Sequence, residues 1–264
     1  MGPCSLVCRC DPGRVCSPPR GPGVFWGGVI STTGGVRLEL GTGGKAASFY
    51  LCADGGVLTG QHVLDNTRAE GAVGADFKIG HWPNVGSLTI GGSLFGMHYT
   101  HNELGLSYGQ GGYFSPEHYL LASVPVTFKG HSGASFHYVV SGSLGVQTFQ
   151  QDEAPFYPLD PALQSSFLPT NGVPCTGGQA PSYNCGEYPA TVNTELNYAI
   201  NAEAVYRVAE HCYAGAFLSG NNTNNYNTVS GGFFFRYVFR AQHSLDGFPA
   251  GLFPVNGLRP VQIP

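Results

Sequence analysis

The segment 194–208, TELNYAINAEAVYRV, alternates apolar and polar residues over its whole length. One set of alternate positions is mostly apolar, with tyrosine near both ends: Thr194, Leu196, Tyr198, Ile200, Ala202, Ala204, Tyr206 and Val208. The positions between them carry the charged and amide side chains Glu195, Asn197, Asn201, Glu203 and Arg207. A period of two predicts a β-strand with two chemically different faces. Strands of soluble sheets usually run about 5–6 residues, so this length favours a tilted membrane crossing.

The same alternation recurs along most of the chain. It is clear in 69–79, 118–129, 134–148 and 229–239, and weaker in 46–53, 56–63, 85–99, 104–113 and 211–220. In 134–148 the polar positions include His137 and Gln147. Turns such as Asp54-Gly55-Gly56 and Trp82-Pro83-Asn84 separate the segments, and longer connections are expected at 150–189 and 220–228. The pattern predicts an all-β protein with about ten antiparallel strands.

Composition supports this fold class. The chain has 40 Gly and 19 Pro, and only 11% of its residues are charged, which argues against helical bundles and charged disordered tails. No basic stripe accompanies the net charge of −4, so nucleic acid is not an expected partner. A sheet with one apolar face must bury that face, and lipid would do so while the polar face lined a lumen. We therefore predict an antiparallel transmembrane β-barrel; the alternative is a soluble β-sandwich that binds carbohydrate.

Three regions are expected from the composition along the chain. Residues 1–35 form an irregular leader rich in Cys, Pro and Gly, residues 36–240 hold the barrel strands, and residues 241–264 form a Pro-rich tail. The leader cysteines follow the spacing C-x3-C-x-C-x5-C, which is not that of a zinc site, so no metal is predicted. A local disulfide between Cys175 and Cys185 would fit across the loop that they flank, and free thiols would fit equally well.

Enzyme signatures are missing from the sequence. Glu195 and Glu203 share a strand face eight residues apart, which places them about 26 Å from each other. Paired carboxylates of glycoside hydrolases lie roughly 5–9.5 Å apart. Neither G-x-S-x-G nor H-E-x-x-H occurs. We expect a protein that is not an enzyme and needs no cofactor.

Residues 109–128, GQGGYFSPEHYLLASVPVTF, resemble the signature of the carboxy-terminal domain of bacterial cellulose synthase operon protein C, the outer-membrane component of cellulose secretion. The resemblance rests on a G-G-Y-F-S-P-x-x-Y block followed by V-P-V, carried here by Gly111, Gly112, Tyr113, Phe114, Ser115, Pro116, Tyr119, Val124, Pro125 and Val126. Segments 41–50, 58–67 and 231–239 agree in character, so the resemblance covers roughly 40–240.

This resemblance implies a periplasmic arm of tetratricopeptide repeats followed by a 16-stranded outer-membrane barrel that passes the nascent glucan. Its implied partners are the cellulose chain, outer-membrane lipid, the repeat arm and the inner-membrane cellulose synthase complex. No repeat arm is visible here, and 10–12 strands are too few for such a barrel. We therefore expect a carboxy-terminal fragment that lacks its signal peptide, belongs in the bacterial outer membrane and contributes part of a cellulose-export pore.

The expected pore wall comprises His137, Gln147, Glu195, Asn197, Asn201, Glu203 and Arg207. Export requires weak contacts at many sites, so each side chain either touches the glucan weakly or is only hydrated. The G-G-Y-F-S-P block is interpreted as a hairpin corner without chemistry in preference to a substrate contact. Pro125 lacks a backbone N–H, which predicts a bulge or a non-donating position there.

Overall fold

The computed structural model describes residues 26–41, 46–83, 85–165, 186–223 and 226–239. Within these ranges the chain is mainly β-strand. Its strands are β1 (Gly27–Gly41), β2 (Ala47–Gln61), β3 (Asn66–Trp82), β4 (Gly86–Tyr99), β5 (His118–Ser132), β6 (Phe136–Gln151), β7 (Ala154–Pro155), β8 (Glu187–Tyr188), β9 (Thr191–Ala209), β10 (Cys212–Thr223) and β11 (Tyr226–Tyr237). One short helix, α1 (Pro161–Ser165), lies between β7 and β8, and no helix in the described ranges is long and apolar enough to cross a membrane.

Nine strands form one antiparallel sheet in the order β1-β2-β3-β4-β5-β6-β9-β10-β11. Each strand pairs with its neighbour along the chain, except that β6 pairs with β9 across the excursion that carries the small β7–β8 pair. The all-β antiparallel prediction is confirmed. Strands β1 and β11 stand at the two edges, so the described strands form an open sheet and not a closed barrel. A β-sandwich would need a second large sheet, and the described residues form none.

The two faces of the sheet differ sharply in chemistry. Alternate positions of the strands form what we call the exposed face. They include Val73, Leu144, Ile200 and Phe233, which are each 49% exposed or more. On the opposite, buried face lie every Asp, Glu, Lys and Arg of the nine strands: Arg37, Glu39, Asp54, Arg68, Glu70, Asp76, Lys78, Lys129, Glu195, Glu203, Arg207 and Arg236. The sheet is therefore inverted relative to a soluble protein in its charged residues. These are enclosed beside an apolar cluster that includes Phe95, Leu121 and Phe149, while large apolar side chains also lie outside.

The connections also differ between the two ends of the sheet. At one end, the turn end, residues 83–85, 133–135 and 210–211 join consecutive strands. At the other, the loop end, lie the long connections 100–117 and 152–190, together with the shorter 62–65. The expected long connection at 150–189 is thus confirmed over its described part. The one expected at 220–228 is wrong, because β10 and β11 extend through most of it.

Several predicted boundaries need correction. Asp54-Gly55-Gly56 is not a turn but the middle of β2, so 46–53 and 56–63 are one strand. A side chain at Gly56 would come within 2.5 Å of the Thr32 carbonyl oxygen, so its glycine serves close strand approach. Segment 104–113 is loop, not strand, and β1 begins at Gly27, inside the predicted leader. The alternation of β1 is difficult to recognise in the sequence because the pairs Gly27-Gly28 and Gly34-Gly35 interrupt it. Residues 1–25 and 241–264, with Cys175 and Cys185, lie outside the described residues.

Candidate functional site: the buried face and the loop that covers it

A hydrogen-bonded network of amides crosses four strands of the buried face. Gln147 on β6 is fully buried, and its side-chain oxygen accepts from the Tyr119 hydroxyl at 2.8 Å and from Asn197 Nδ2 at 3.2 Å. Its Nε2 donates to Glu195 Oε1 at 3.1 Å. Asn197 Nδ2 also lies 3.0 Å from the Asn222 carbonyl oxygen on β10. The structure thus brings together Gln147, Glu195 and Asn197, three of the residues predicted to line the pore.

The other predicted residues occupy the same face nearer to the turn end. Asn201 lies in register with Ser141, and Arg207 is half-buried with its backbone N–H bound to the Ser135 carbonyl. His137 stacks on His131 of the adjacent strand, with ring centroids 5.6 Å apart. Glu203 is 3% exposed, and neither of its carboxylate oxygens has a hydrogen-bond partner among the described residues. Their common face agrees with the alternation; their mutual contact is limited to the amide network above.

A buried ion cluster lies closer to the loop end. Arg68 Nη2 is 3.2 Å from Asp54 Oδ1, and Arg68 Nε is 3.5 Å from Glu70 Oε2. Direct cross-strand pairing of Asp54 with Glu70 sets two carboxylates beside one guanidinium. The sequence interpretation missed this cluster because Asp54 was assigned to a turn. Continuing the alternation of β2 through its two glycines would have placed Asp54 on the polar face.

The 100–117 loop carries the G-G-Y-F-S-P block and folds into a compact cap at the loop end. Gly112 N–H donates to the Glu103 carbonyl at 2.8 Å, and the Ser115 hydroxyl accepts from Glu103 N–H at 2.6 Å. Asn66, at the start of β3, donates from Nδ2 to the His101 carbonyl at 2.8 Å. Gly112 has φ +70°, a conformation that favours glycine. These bonds fix the loop internally and join it to the sheet.

Aromatic contacts anchor the block against the buried face. Phe114 meets Phe149 at 5.3 Å and Tyr119 at 6.1 Å between ring centroids, both edge to face. Tyr113 packs on Tyr99 at 5.9 Å, and its hydroxyl accepts from Asn66 Nδ2 at 3.0 Å. Edge-to-face pairs are a favoured aromatic geometry. The block is therefore a packed cap within the loop that joins the antiparallel strands β4 and β5.

The 100–117 loop also binds the 152–190 connection. Gln110 Nε2 donates to the Pro155 carbonyl at 2.7 Å, and Asn102 Nδ2 donates to the Asp152 carbonyl at 2.7 Å. The Ser107 hydroxyl lies 3.0 Å from the Tyr188 hydroxyl. Such contacts join residues far apart in sequence, and no local pattern could have revealed them. These bonds join the described parts of the two long connections at the loop end.

The remaining residues of the family signature lie on β5. Val124 and Val126 occupy the exposed face, while Tyr119 and Pro125 occupy the buried face. On the β4 side the ladder pairs Ile90 with Val126 and then Ser93 with Ser123. The pairing is interrupted opposite Pro125, as predicted for a residue without an N–H.

Glu103 is the buried carboxylate of the cap. It is 0% exposed, and neither carboxylate oxygen has a hydrogen-bond partner in the described part of the chain. Burial raises the pKa of Glu103 to about 7, although the nearby Tyr113 hydroxyl and Asn66 amide favour the charged form. Burial, reinforced by the charge of Glu103, also raises the pKa of Tyr113, which keeps its hydroxyl protonated.

Glu103→Gln should make the cap more stable at pH 8 and weaken its pH dependence. The folded chain keeps the Glu103 proton up to about pH 7, whereas an unfolded glutamate loses it near 4.5. The free energy of unfolding therefore falls as pH rises through this window, by up to about 3 kcal/mol. Urea unfolding in detergent micelles at pH 5 and pH 8 measures this difference. The exposed Glu153→Gln is the control. If the free energy of unfolding of Glu103→Gln fell as much between pH 5 and pH 8 as that of the unmodified chain, the assignment would be contradicted.

The chemistry of the site is that of a hydrogen-bonding wall. The described residues contain no group of three or more His, Cys, Asp or Glu side chains arranged to hold a metal ion. Serine, amide and carboxylate groups lie on the buried face among apolar side chains such as Phe95 and Leu121, and the Ser93 and Ser123 hydroxyls are 2.7 Å apart. Such a surface can exchange hydrogen bonds with a hydroxyl-rich ligand.

Comparison with known proteins identifies relatives for most of the chain. Residues 15–240 match the family described as "Cellulose synthase operon protein C C-terminus". The chain is 31% identical over 214 residues to a cellulose synthase operon protein C of Xanthomonas axonopodis pv. citri, covering 81% of this chain and 14% of that protein. It is 32% identical over 219 residues to one of Pseudomonas fluorescens, covering 83% and 16%. It is 35% identical over 195 residues to one of Komagataeibacter sucrofermentans, covering 70% and 14%.

The matched residues 15–240 include the G-G-Y-F-S-P block and the antiparallel sheet against which it packs. The chain spans about one seventh of the length of these curated relatives. The chain belongs to the family of the cellulose synthase operon protein C carboxy-terminus.

Proposed function

We propose that this chain forms part of an outer-membrane pore through which a bacterium exports nascent cellulose from the periplasm. The observation that carries the proposal is the inverted sheet, whose charged side chains all lie on the buried face. In water such a sheet would leave a broad apolar surface uncovered. A bilayer covers that surface, and the polar face then borders a hydrated lumen.

The exposed face has the composition that lipid requires. Across the nine strands its positions hold no Asp, Glu, Lys or Arg within the described ranges. Large apolar side chains dominate it, including Leu144 at 62%, Leu196 at 65% and Phe235 at 68% exposure. A charged side chain at the middle of a bilayer costs about 2–4 kcal/mol in a barrel. Exclusion of charge from this face therefore supports membrane contact.

A band of aromatic side chains crosses the exposed face at the turn end. Trp82, Phe128 and Tyr138 form a continuous row, with centroid separations of 6.4 and 5.9 Å. Phe49 and Phe77 continue it on β2 and β3 at 6.2 Å. Aromatic girdles mark the bilayer interfaces of outer-membrane barrels, whose short turns face the periplasm. We therefore orient the turn end toward the periplasm and the loop end toward the cell exterior.

The buried face suits the passage of a neutral polysaccharide. Its half-buried polar side chains, such as Asn201 and Arg207, offer hydrogen-bonding groups, while the buried amide network joins the strands of the wall to one another. Passage requires contacts that are easily exchanged, because a tightly bound chain would not move. We assign the wall as a whole, and not one residue, to the hydrated path of the glucan.

The open edges of the sheet indicate that further strands complete the pore. Strands β1 and β11 have no partner on their outer edges in the described ranges, and an unpaired edge in hydrocarbon costs several kcal/mol per polar group. The curated relatives are several times longer than this chain. We propose that the remaining strands, a periplasmic repeat arm and the inner-membrane synthase belong to the complete system.

Removal of the strands should abolish export. In a cellulose-producing bacterium that carries this chain, deletion of residues 47–239 is expected to reduce extracellular cellulose to background while glucan synthesis continues inside the cell. Dye binding to secreted cellulose and assay of glucan in lysed cells measure the two quantities. Restoring the deleted segment is the control. Normal secretion by the deletion strain would rule out the proposed role.

A further inference from the structure

A groove opens on the exposed face near the loop end. Its volume is about 530 Å³, within the usual range for small-ligand sites. It extends across β3 to β6 and reaches β9, and its lining includes Gly71, Gly96, His98, His118, Leu120 and Val192. Gly71 and Gly96 are direct cross-strand partners on this face. We propose that this groove binds a membrane lipid with an anionic headgroup, its acyl chain lying in the groove and its phosphate at His98 and His118.

The floor of the groove is open because two residues lack side chains. A Cβ at Gly96 would find no atom nearer than 3.7 Å, and one at Gly71 none nearer than 3.4 Å. Neither position needs glycine for steric reasons or for a positive φ. Around this space stand the exposed apolar side chains of Leu120 and Val192. A trough of apolar walls on a lipid-facing surface fits an acyl chain.

The upper end of the groove holds the imidazoles of the exposed face. His98 and His118 are its histidines within the nine described strands, and no other side chain there can carry a positive charge. Their ring centroids lie 5.5 Å apart. His98 Nδ1 donates to the Glu117 carbonyl, so its Nε2 is the atom available to a ligand. Imidazole N–H groups are hydrogen-bond donors, and phosphate oxygens accept from them.

The carboxylates near the two imidazoles already have partners within the chain. The Glu117 carboxylate accepts from Asp152 N–H at 2.8 Å, and Asp152 Oδ1 accepts from Gln150 Nε2 at 2.9 Å. Glu70 lines the groove as well, but its side chain is 3% exposed and faces Arg68. The imidazole pair is therefore the part of the groove best suited to an anion. The pair lies where the apolar side chains of the exposed face end and polar residues begin, which is the depth of lipid headgroups.

This inference rests on the proposed membrane location, and its test keeps the two apart. The full chain is folded in nanodiscs, released into detergent and examined by native mass spectrometry after exposure to phosphatidylglycerol or phosphatidylcholine with identical acyl chains. We expect about tenfold better retention of phosphatidylglycerol, because phosphatidylcholine carries the same phosphate together with a trimethylammonium group that neutralises its charge. Glycerol 3-phosphate, which has no acyl chain, should not compete at equal concentration.

Three variants locate the site. His98→Ala/His118→Ala should reduce phosphatidylglycerol retention to the phosphatidylcholine level, and Gly96→Leu should reduce retention of both lipids by filling the groove. His131→Ala/His137→Ala removes a matched cross-strand pair on the opposite face and should leave retention unchanged. Should the double variant not fold, His118→Gln alone must still lower the preference. Equal retention of both lipids, or equal losses in the two histidine pairs, would overturn the inference while membrane insertion itself persisted.

Discussion

Leu144→Arg should prevent stable insertion of the chain into lipid. Leu144 lies in the middle of β6, is 62% exposed, and is flanked by Tyr198 on β9 and Val124 on β5. Arginine there would place a charge against acyl chains, at a cost of about 2–4 kcal/mol. Urea unfolding in lipid vesicles, followed by circular dichroism, measures the loss. A fraction of folded chain well below that of the unmodified protein is the expected result.

Asn201→Arg provides the matched control for this charge. Asn201 is half-buried on the opposite face of the neighbouring strand, where the account places a hydrated lumen. The same side chain there should leave insertion nearly unchanged, since lumen substitutions mainly alter selectivity. If Leu144→Arg inserts normally while Asn201→Arg fails, the assignment of the two faces is reversed.

Gly111→Val should dislodge the 100–117 loop from the buried face. A Cβ at Gly111 would lie 2.2 Å from Tyr113 Cε1 and 2.5 Å from Glu103 Oε2. Neither neighbour can move cheaply, because Tyr113 binds Asn66 and packs on Tyr99, while Glu103 is fully buried. Overpacking of this kind costs about 1–3 kcal/mol. We expect a lower thermal midpoint and rapid proteolysis within 100–117.

Gly92→Val tests whether the effect belongs to the site or to glycine replacement in general. Gly92 lies on the exposed face of β4, and a Cβ there would meet no atom within 4 Å. Valine is favourable in strands, so this variant should keep the unmodified midpoint and protease resistance. Equal protease sensitivity in both glycine variants, or resistance in Gly111→Val, would contradict a packed cap.

The two chemical faces could be predicted from the sequence because they depend on a period of two that each strand carries in its own residues. Alternation alone predicted the face of Gln147 in segment 134–148 and of Glu195, Asn197 and Glu203 in segment 194–208. Strand β2 was split because Asp54-Gly55-Gly56 has the composition of a turn. In the folded chain Gly56 allows β1 to approach closely, and only the neighbouring strand reveals that purpose.

The cap over the loop end could not be predicted in the same way. Its bonds connect Asn66 with His101, Ser107 with Tyr188 and Gln110 with Pro155, pairs separated by dozens of residues. The family signature marked the right segment, 111–116, but not its packing against Phe149 and Tyr119. Burial of Glu103 likewise depends on layers that come together only in the fold.

The central claim is that the exposed face contacts lipid and the buried face borders water. Nitroxide labels placed singly at 194–208, in a cysteine-free background reconstituted in bilayers, test it through collision with oxygen and with a water-soluble nickel complex. The account predicts a period of two, with even positions such as Leu196 and Ile200 favouring oxygen and odd positions such as Asn197 and Asn201 favouring nickel. Even positions that meet nickel as readily as odd ones would contradict it.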